Sequence, residues 1–199
     1  MKFTTAIAAT VLLTLTSIAQ AASIQNSATG LTGDFATETF SADAENHAAA
    51  GNKFSDLTFG AGNYITSDYS GRFPNIHGQV ISNFTPPSYH SAAETSFTFA
   101  LPVSGAAFNF VTDSRSSTFT AFLGDTQVET FSAVTNYDGN FYGFENISFD
   151  SIRINTQSTR PAYILDNLQT QAVPEPETYA LMLAGLGALG FVARRRKSM

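Results

Sequence analysis

Carboxylates dominate the groups of this chain that could do chemistry. Residues 22–171 hold 14 Asp and Glu against 5 Lys and Arg, a net charge of −9. Such a surface repels phosphate polymers and anionic lipid and attracts divalent cations. It argues against nucleic acid as a partner. Acidic residues are so frequent that a pair of them points to no particular glycoside-cleaving dyad. His47, His77 and His90 fall in no His-x-x-x-His or Glu-x-x-His pattern, so a metal-hydrolase site has little support. No Gly-x-Ser-x-Gly elbow occurs, and with no cysteine there is no disulfide, thiolate metal site or thiol nucleophile. The second chemical group is aromatic. Tyr64, Tyr69, Phe73, Tyr89, Tyr137 and Tyr142 lie in Gly-, Asn- and Pro-rich stretches. Aromatic faces there, beside Asp, Asn and Arg, suit the stacking and hydrogen bonding of a glycan. The absence of Trp weakens that case, and loop aromatics also serve to plug the ends of a sandwich.

The elements that must position these residues read as strands. Apolar residues recur with a period of two and no long segment has helical periodicity. Phe97, Phe99 and Leu101 alternate with Ser96, Thr98 and Ala100, and Phe108 and Phe110 follow. Phe119, Ala121 and Leu123 form a further run, and Gly124-Asp125 reads as the turn of a hairpin into residues 127–131. The spacing of Phe149, Ile152 and Ile154 predicts a bulge near Ser151. A last strand is expected to alternate Tyr163, Leu165 and Asn167 with Ile164, Asp166 and Leu168. Thr and Phe suit a pleated, half-buried surface. Short strands with turn signals every 8–12 residues predict an all-β fold, a β-sandwich of jelly-roll type. Asp43 to Ala50 is the one expected helical turn, with Gly51 as its stop.

Both ends read as targeting segments outside this fold. Residues 1–21 have a positive start at Lys2, an apolar stretch from Ala6 to Ile18, and small residues at Ala19 and Ala21. That is the pattern of a secretory signal peptide cut after Ala21 by signal peptidase, on the Sec route. Residues 172–199 begin with the helix-breaking run Val173-Pro174-Glu175-Pro176-Glu177. An apolar stretch over 179–193 follows, and then Arg194, Arg195, Arg196 and Lys197. Fifteen helical residues span roughly 22 Å, short of a hydrocarbon core of about 30 Å, and snorkelling arginines would cover part of the gap. The basic cluster should remain cytoplasmic. The expected topology is a single C-terminal membrane helix with residues 22–171 on the far side.

This order of pieces resembles the PEP-CTERM sorting signal of Gram-negative bacteria. The resemblance implies an exosortase, an integral-membrane cysteine transpeptidase, as partner, with Pro174, Glu175 and Pro176 as its recognition element. It also implies an association with exopolysaccharide and biofilm. The expected course is an inner-membrane-anchored precursor, then a cell-surface or secreted product. A plain membrane anchor with a proline-rich stalk is the alternative.

Residues 95–110 and 163–168 resemble strands of carbohydrate-binding-like jelly rolls. The first is similar to an F-x-F-x-x-P-V hairpin, and Ile164-Leu165-Asp166-Asn167-Leu168 to a closing I-D-N-L strand. Thr37-Glu38-Thr39-Phe40 would be the first strand. The resemblance implies a non-catalytic binding or structural domain, with a glycan-active hydrolase as the alternative. It also raises a structural Ca²⁺ between first and last strands, at Glu38 and Asp166. The competing expectation is that Asp166 accepts backbone N–H groups at a sheet end, and no cofactor is then needed.

Overall fold

The computed structural model describes residues 21–40, 47–48, 53–54, 57–66, 68–84, 94–113, 115–157, 162–173 and 181–189. Among the described residues twelve strands form one hydrogen-bonded sheet. They are β1 (Ala22–Ser27), β2 (Ala36–Glu38), β3 (His47–Ala48), β4 (Lys53–Phe54), β5 (Leu57–Phe59) and β6 (Tyr64–Ile65). The second half holds β7 (Ile81–Ser82), β8 (Glu94–Thr112), β9 (Arg115–Leu123), β10 (Thr126–Thr135), β11 (Phe141–Thr156) and β12 (Tyr163–Ala172).

The sheet becomes a sandwich because its two longest strands fold over. Phe97 and Phe108 sit eleven residues apart on β8, yet their ring centroids are 5.3 Å apart. A straight strand would separate them by about 36 Å. The corner is Ala100-Leu101-Pro102, where all three residues are exposed. Pro102 has no N–H to give a ladder, so a corner costs it nothing. The partner strand β11 turns with it. Ser151–Asn155 pairs with Glu94–Thr98, and Phe141–Glu145 pairs with Gly105–Asn109. Between these blocks the register shifts on both sides of Phe149. The expected bulge between Phe149 and Ile152 is one of these shifts. The expected hairpin within 95–110 is not found. Its two arms both pair with β11 and not with each other, and Leu101 is exposed at the corner rather than alternating inward.

One layer therefore runs β10-β9-β11-β8-β5-β4 and uses the first half of β8. The other runs β1-β11-β8-β12, with β2 and the β7-β6-β3 series along β12. Between them lies a core rich in phenylalanine. Phe97, Phe99, Phe108, Phe110, Phe119, Phe144 and Phe149 pack there in mostly edge-to-face pairs, joined by Tyr142 and Tyr163. Such geometry lets the positive edge of one ring meet the negative face of the next. The buried Tyr163 hydroxyl donates to Asn63 Oδ1, which also accepts from Thr95 Oγ1 at 2.9 Å. Burial raises the Tyr163 pKa well above that of a free phenol.

The second half of β8 is buried on both faces. Phe108 and Phe110 face the main core. On the reverse, Val111 and Ile164 meet Tyr69, Ile76, Val80 and Phe84 of the 66–84 segment. Ala107 meets Ile24, Leu31 and Phe141 there. An alternating Phe-Asn-Phe sequence would leave Asn109 in water, but loops cover that face and Asn109 is fully buried.

Three asparagines absorb register slips. Asn26, Asn146 and Asn167 have φ of 52°, 62° and 47°, and each lies where β1, β11 or β12 gains extra residues over its partner. Asn tolerates this left-handed region better than most residues. The bulge at Asn167 corrects the expected alternation of the last strand. Tyr163 and Leu165 face the core, and after the slip Leu168 does so in place of Asn167.

Gly124-Asp125 forms the two-residue turn between β9 and β10, with Gly124 at φ 57°. His47–Ala48 is a strand paired with Ile65–Tyr64, not part of the expected helical turn. The rest of that turn lies outside the described residues. So do residues 1–20 with Ala19, the motif Pro174–Pro176, and Arg194, Arg195, Arg196 and Lys197. Ala21 is exposed and immediately precedes β1. Within the expected apolar helix, residues 181–189 form a helix, α1, all nine of them exposed. Among the described residues no helix is long and apolar enough to cross a membrane.

Candidate functional site

Three polar side chains behind β8 and β12, Asp166 and Asn109 buried and Asn167 half-buried, hold two loops together. Asp166 follows Ile164 on the outer face of β12, and the slip at Asn167 turns the next side chain towards β8. Asp166 Oδ2 accepts the His77 backbone N–H at 2.9 Å, and Oδ1 accepts that of Asn167 at 2.7 Å. Asn167 Nδ2 donates to Asn109 Oδ1 at 2.8 Å and to the Asn75 carbonyl at 2.9 Å. Asn109 Nδ2 in turn donates to the Gly139 carbonyl at 2.6 Å. The 66–80 loop and the 136–140 loop are thus pinned to one pair of strands. Removal from water pushes the Asp166 carboxyl up to about 6, against the pull of the His77 and Asn167 N–H groups.

Gly139 is a point of close approach between the two loops. Its φ is +65°, and a Cβ there would sit 2.2 Å from the Pro74 carbonyl oxygen. The 136–140 turn is also closed internally: Asp138 N–H donates to Asn136 Oδ1 at 3.0 Å, and Asn136 Nδ2 to Asp138 Oδ2 at 2.7 Å.

On these pinned loops three rings stack. Tyr69 and Phe73 are 6.4 Å apart at 10°, and Phe73 and Tyr137 are 6.0 Å apart at 15°. The Arg72 guanidinium lies 4.8 Å from the Tyr69 ring centroid. Tyr69 is 7% exposed and Tyr137 is 53% exposed, so the stack runs from interior to surface. Beside it, Asp68 is held below the ordinary carboxylate range by the Ser70 hydroxyl and N–H, with Arg72 adding to the effect.

The structure therefore brings together three of the six aromatics singled out from the sequence. Tyr142 is wholly buried on β11 in the main core, and Tyr64 is half-buried on β6. Neither is a loop residue. Tyr89 lies outside the described residues, as does His90. From the sequence, Asn109 and Gly139 do not stand out and Asn167 reads only as a strand residue; the run Tyr137-Asp138-Gly139-Asn140, rich in turn formers, is the signal that marks Gly139.

A separate concavity of about 370 Å³ lies on the solvent face of the other layer. Ser96 and Thr98 of β8, Ser151 and Arg153 of β11, Phe122 of β9 and the Gly124-Asp125 turn line it. Arg153 lies over the Phe122 ring at 4.8 Å, and its Nε is 3.5 Å from Glu94 Oε1. Both side chains of that ion pair are about half exposed, which makes it a weak contact. The lining offers hydroxyls and one cation on strands and one carboxylate on a turn, a set suited to polar ligands.

The two residues expected for calcium lie on the paired strands β2 and β12. Glu38 lies opposite Leu168 in the β2–β12 pair, and its Oε1 accepts the Phe40 N–H at 3.2 Å. Both Asp166 oxygens accept N–H groups, whereas Ca²⁺ takes six to eight oxygen ligands. Among the described residues no group of three His, Cys, Asp or Glu could hold a metal ion.

No curated protein matches this chain. Among solved structures it is similar to the K2 cleaved adhesin domain of Lys-gingipain, at 11% identity over 69% of this chain and 99% of that one, with a TM-score of 0.46. It is also similar to the Clostridium thermocellum xylanase 10B CBM22-1–GH10 modules, at 12% identity over 70% of this chain and 28% of that one, TM-score 0.38. Likenesses this distant say nothing of what the chain binds. The C-terminal segment is more specific. It matches the model described as the PEP-CTERM protein-sorting motif. The chain thus carries, over residues 172–197 and directly after its last strand, a PEP-CTERM protein-sorting motif.

Proposed function

We propose that this protein is an exported substrate of an exosortase-type enzyme, and that its β-sandwich is a non-catalytic binding or structural component of the cell surface or extracellular matrix. The observation that carries the reading is the sorting motif at residues 172–197. The N-terminal pattern ending at Ala19 and Ala21 supports export by Sec and cleavage by signal peptidase. In this reading Arg194, Arg195, Arg196 and Lys197 keep the precursor's tail at the cytoplasmic side of the inner membrane until Pro174-Glu175-Pro176 is recognised. The exposed apolar surface of α1, with Leu181, Leu183, Leu186 and Leu189 each more than half exposed, supports a segment made for lipid or for an enzyme. For the domain, the stacked rings and the hydroxyl-lined concavity favour hydroxyl-rich exopolysaccharide as the ligand class.

Mass spectrometry of the mature C-terminus, in hosts with and without the exosortase, tests the sorting reading. The expected result is loss of the Arg cluster only where the enzyme is present. An intact cluster in both would mean a permanent inner-membrane anchor. Hydrolysis of a glycan by the purified protein would replace the binding reading with the enzymatic one.

A further inference from the structure

We propose that Tyr137 is the stacking face of a glycan site, taking the apolar side of a pyranose ring in a neutral polysaccharide. The inference rests on the exported-binding reading and assigns it a place. An exposed tyrosine at a loop tip is ordinarily free to rotate, and ordering it on binding costs free energy. At Tyr137 part of that cost is removed in advance. Phe73 lies parallel to it at 6.0 Å, Tyr69 backs Phe73, and Arg72 lies over Tyr69. The main chain beneath is fixed as well. The Asn136 carbonyl accepts the Thr112 N–H at 3.2 Å, the Asn140 carbonyl accepts the Phe110 N–H at 3.1 Å, and Asn109 holds Gly139.

The Tyr137 ring stacks on Phe73 while the residue stays 53% exposed, which leaves aromatic surface in water on a braced ring. The axial C–H groups of a pyranose match such a surface, and Asn136 and Asp138, the neighbours of Tyr137 in sequence, are polar. The ligand class is neutral because residues 22–171 carry a charge of −9 and Asp138 adjoins the ring. A uronate chain would be repelled.

The test is affinity electrophoresis of the exported protein, purified from its host, through gels holding a soluble β-glucan, a galactomannan or anionic alginate. Retardation by a neutral polymer and not by alginate is expected. Tyr137→Ala should weaken it about tenfold, as loss of one stacking contact would. Tyr137→Phe and Tyr137→Trp should retain binding and the parent melting temperature, and Tyr137→Ala should stay cooperatively folded, melting at most a few degrees lower. With no Trp in the chain, quenching of tyrosine emission gives an independent titration. Retardation by alginate alone, by no polymer, or equally with Tyr137→Ala would overturn the site. Since tail processing is read separately by mass spectrometry, these failures would leave the sorting reading standing.

Discussion

Asp166 accepts the backbone N–H of His77, a residue 89 positions away in sequence, at 2.9 Å. One carboxylate thereby fastens the loop that carries Tyr69 and Phe73 onto the last strand of the sandwich. The fastening has a pH signature. Burial raises the Asp166 pKa to about 6 from 3.8, so between those values the folded state holds a proton that the unfolded state has lost. Stability from this group is therefore greatest below pH 4, falls as the pH rises to about 6, and is flat above. The shift corresponds to roughly 3 kcal/mol. Melting temperatures from pH 4 to 7, compared between the parent and Asp166→Asn, should show this slope in the parent only. Equal slopes would mean that Asp166 does not titrate in that window.

Gly139→Ala should both destabilise the domain and disorder the ring stack. The new Cβ would meet the Pro74 carbonyl at 2.2 Å, and φ of +65° disfavours any side chain. A cost of about 1–3 kcal/mol is expected by thermal unfolding. Near-ultraviolet circular dichroism should lose tyrosine signal as Tyr137 leaves Phe73. An unchanged melting temperature and spectrum would show that the two loops can part without effect.

Among the described residues β10 is an edge strand, paired with β9 and with no other strand. Its Thr130 N–H is taken by the neighbouring Glu129 carboxylate at 2.9 Å. That carboxylate caps a backbone donor and brings a charge to the edge, which are two known protections against strand addition. Glu129→Ala should raise self-association several-fold in sedimentation velocity runs, while melting temperature changes little. A variant as monomeric as its parent would mean that the edge is guarded elsewhere, for instance by the register slip between Gln127 and Glu129.

The alternating strands of the second half were legible in the sequence because each long strand has one face on a thick apolar core. Phe119, Ala121, Ile152 and Ile154 all point inward as expected. The breaks were not legible for a physical reason. A hairpin and a folded-over strand both show two apolar runs around a proline, and only the pairing of both arms with β11 tells them apart. Asn167 looked like one more alternating residue because the slip that inverts its parity is specified by φ and not by polarity. Strands of two or three residues, such as β3, β6 and β7, are too short for any period to appear. The candidate site was half legible. Loop aromatics could be named, but their stacking order depends on Asn109 and Asp166, whose burial follows from loops that pack over a face that alternation assigns to solvent.

The register of β12 along β8 also sets a polarity for the whole molecule. Ala172, from which the sorting segment departs, lies beside Val103, whereas Tyr163 lies beside Thr112, next to the loop of Tyr137. Nine residues of β8 separate the two places, about 30 Å. On the N-terminal side, Ala22 lies beside Glu145, which is itself opposite Gly105, so both chain exits share the Val103 pole. A molecule moored by its tail would hold its aromatic tip outward, like a mast with its lamp at the far end. In the proposed reading, capture of a polymer and release from the mooring would take place at opposite ends of the sandwich.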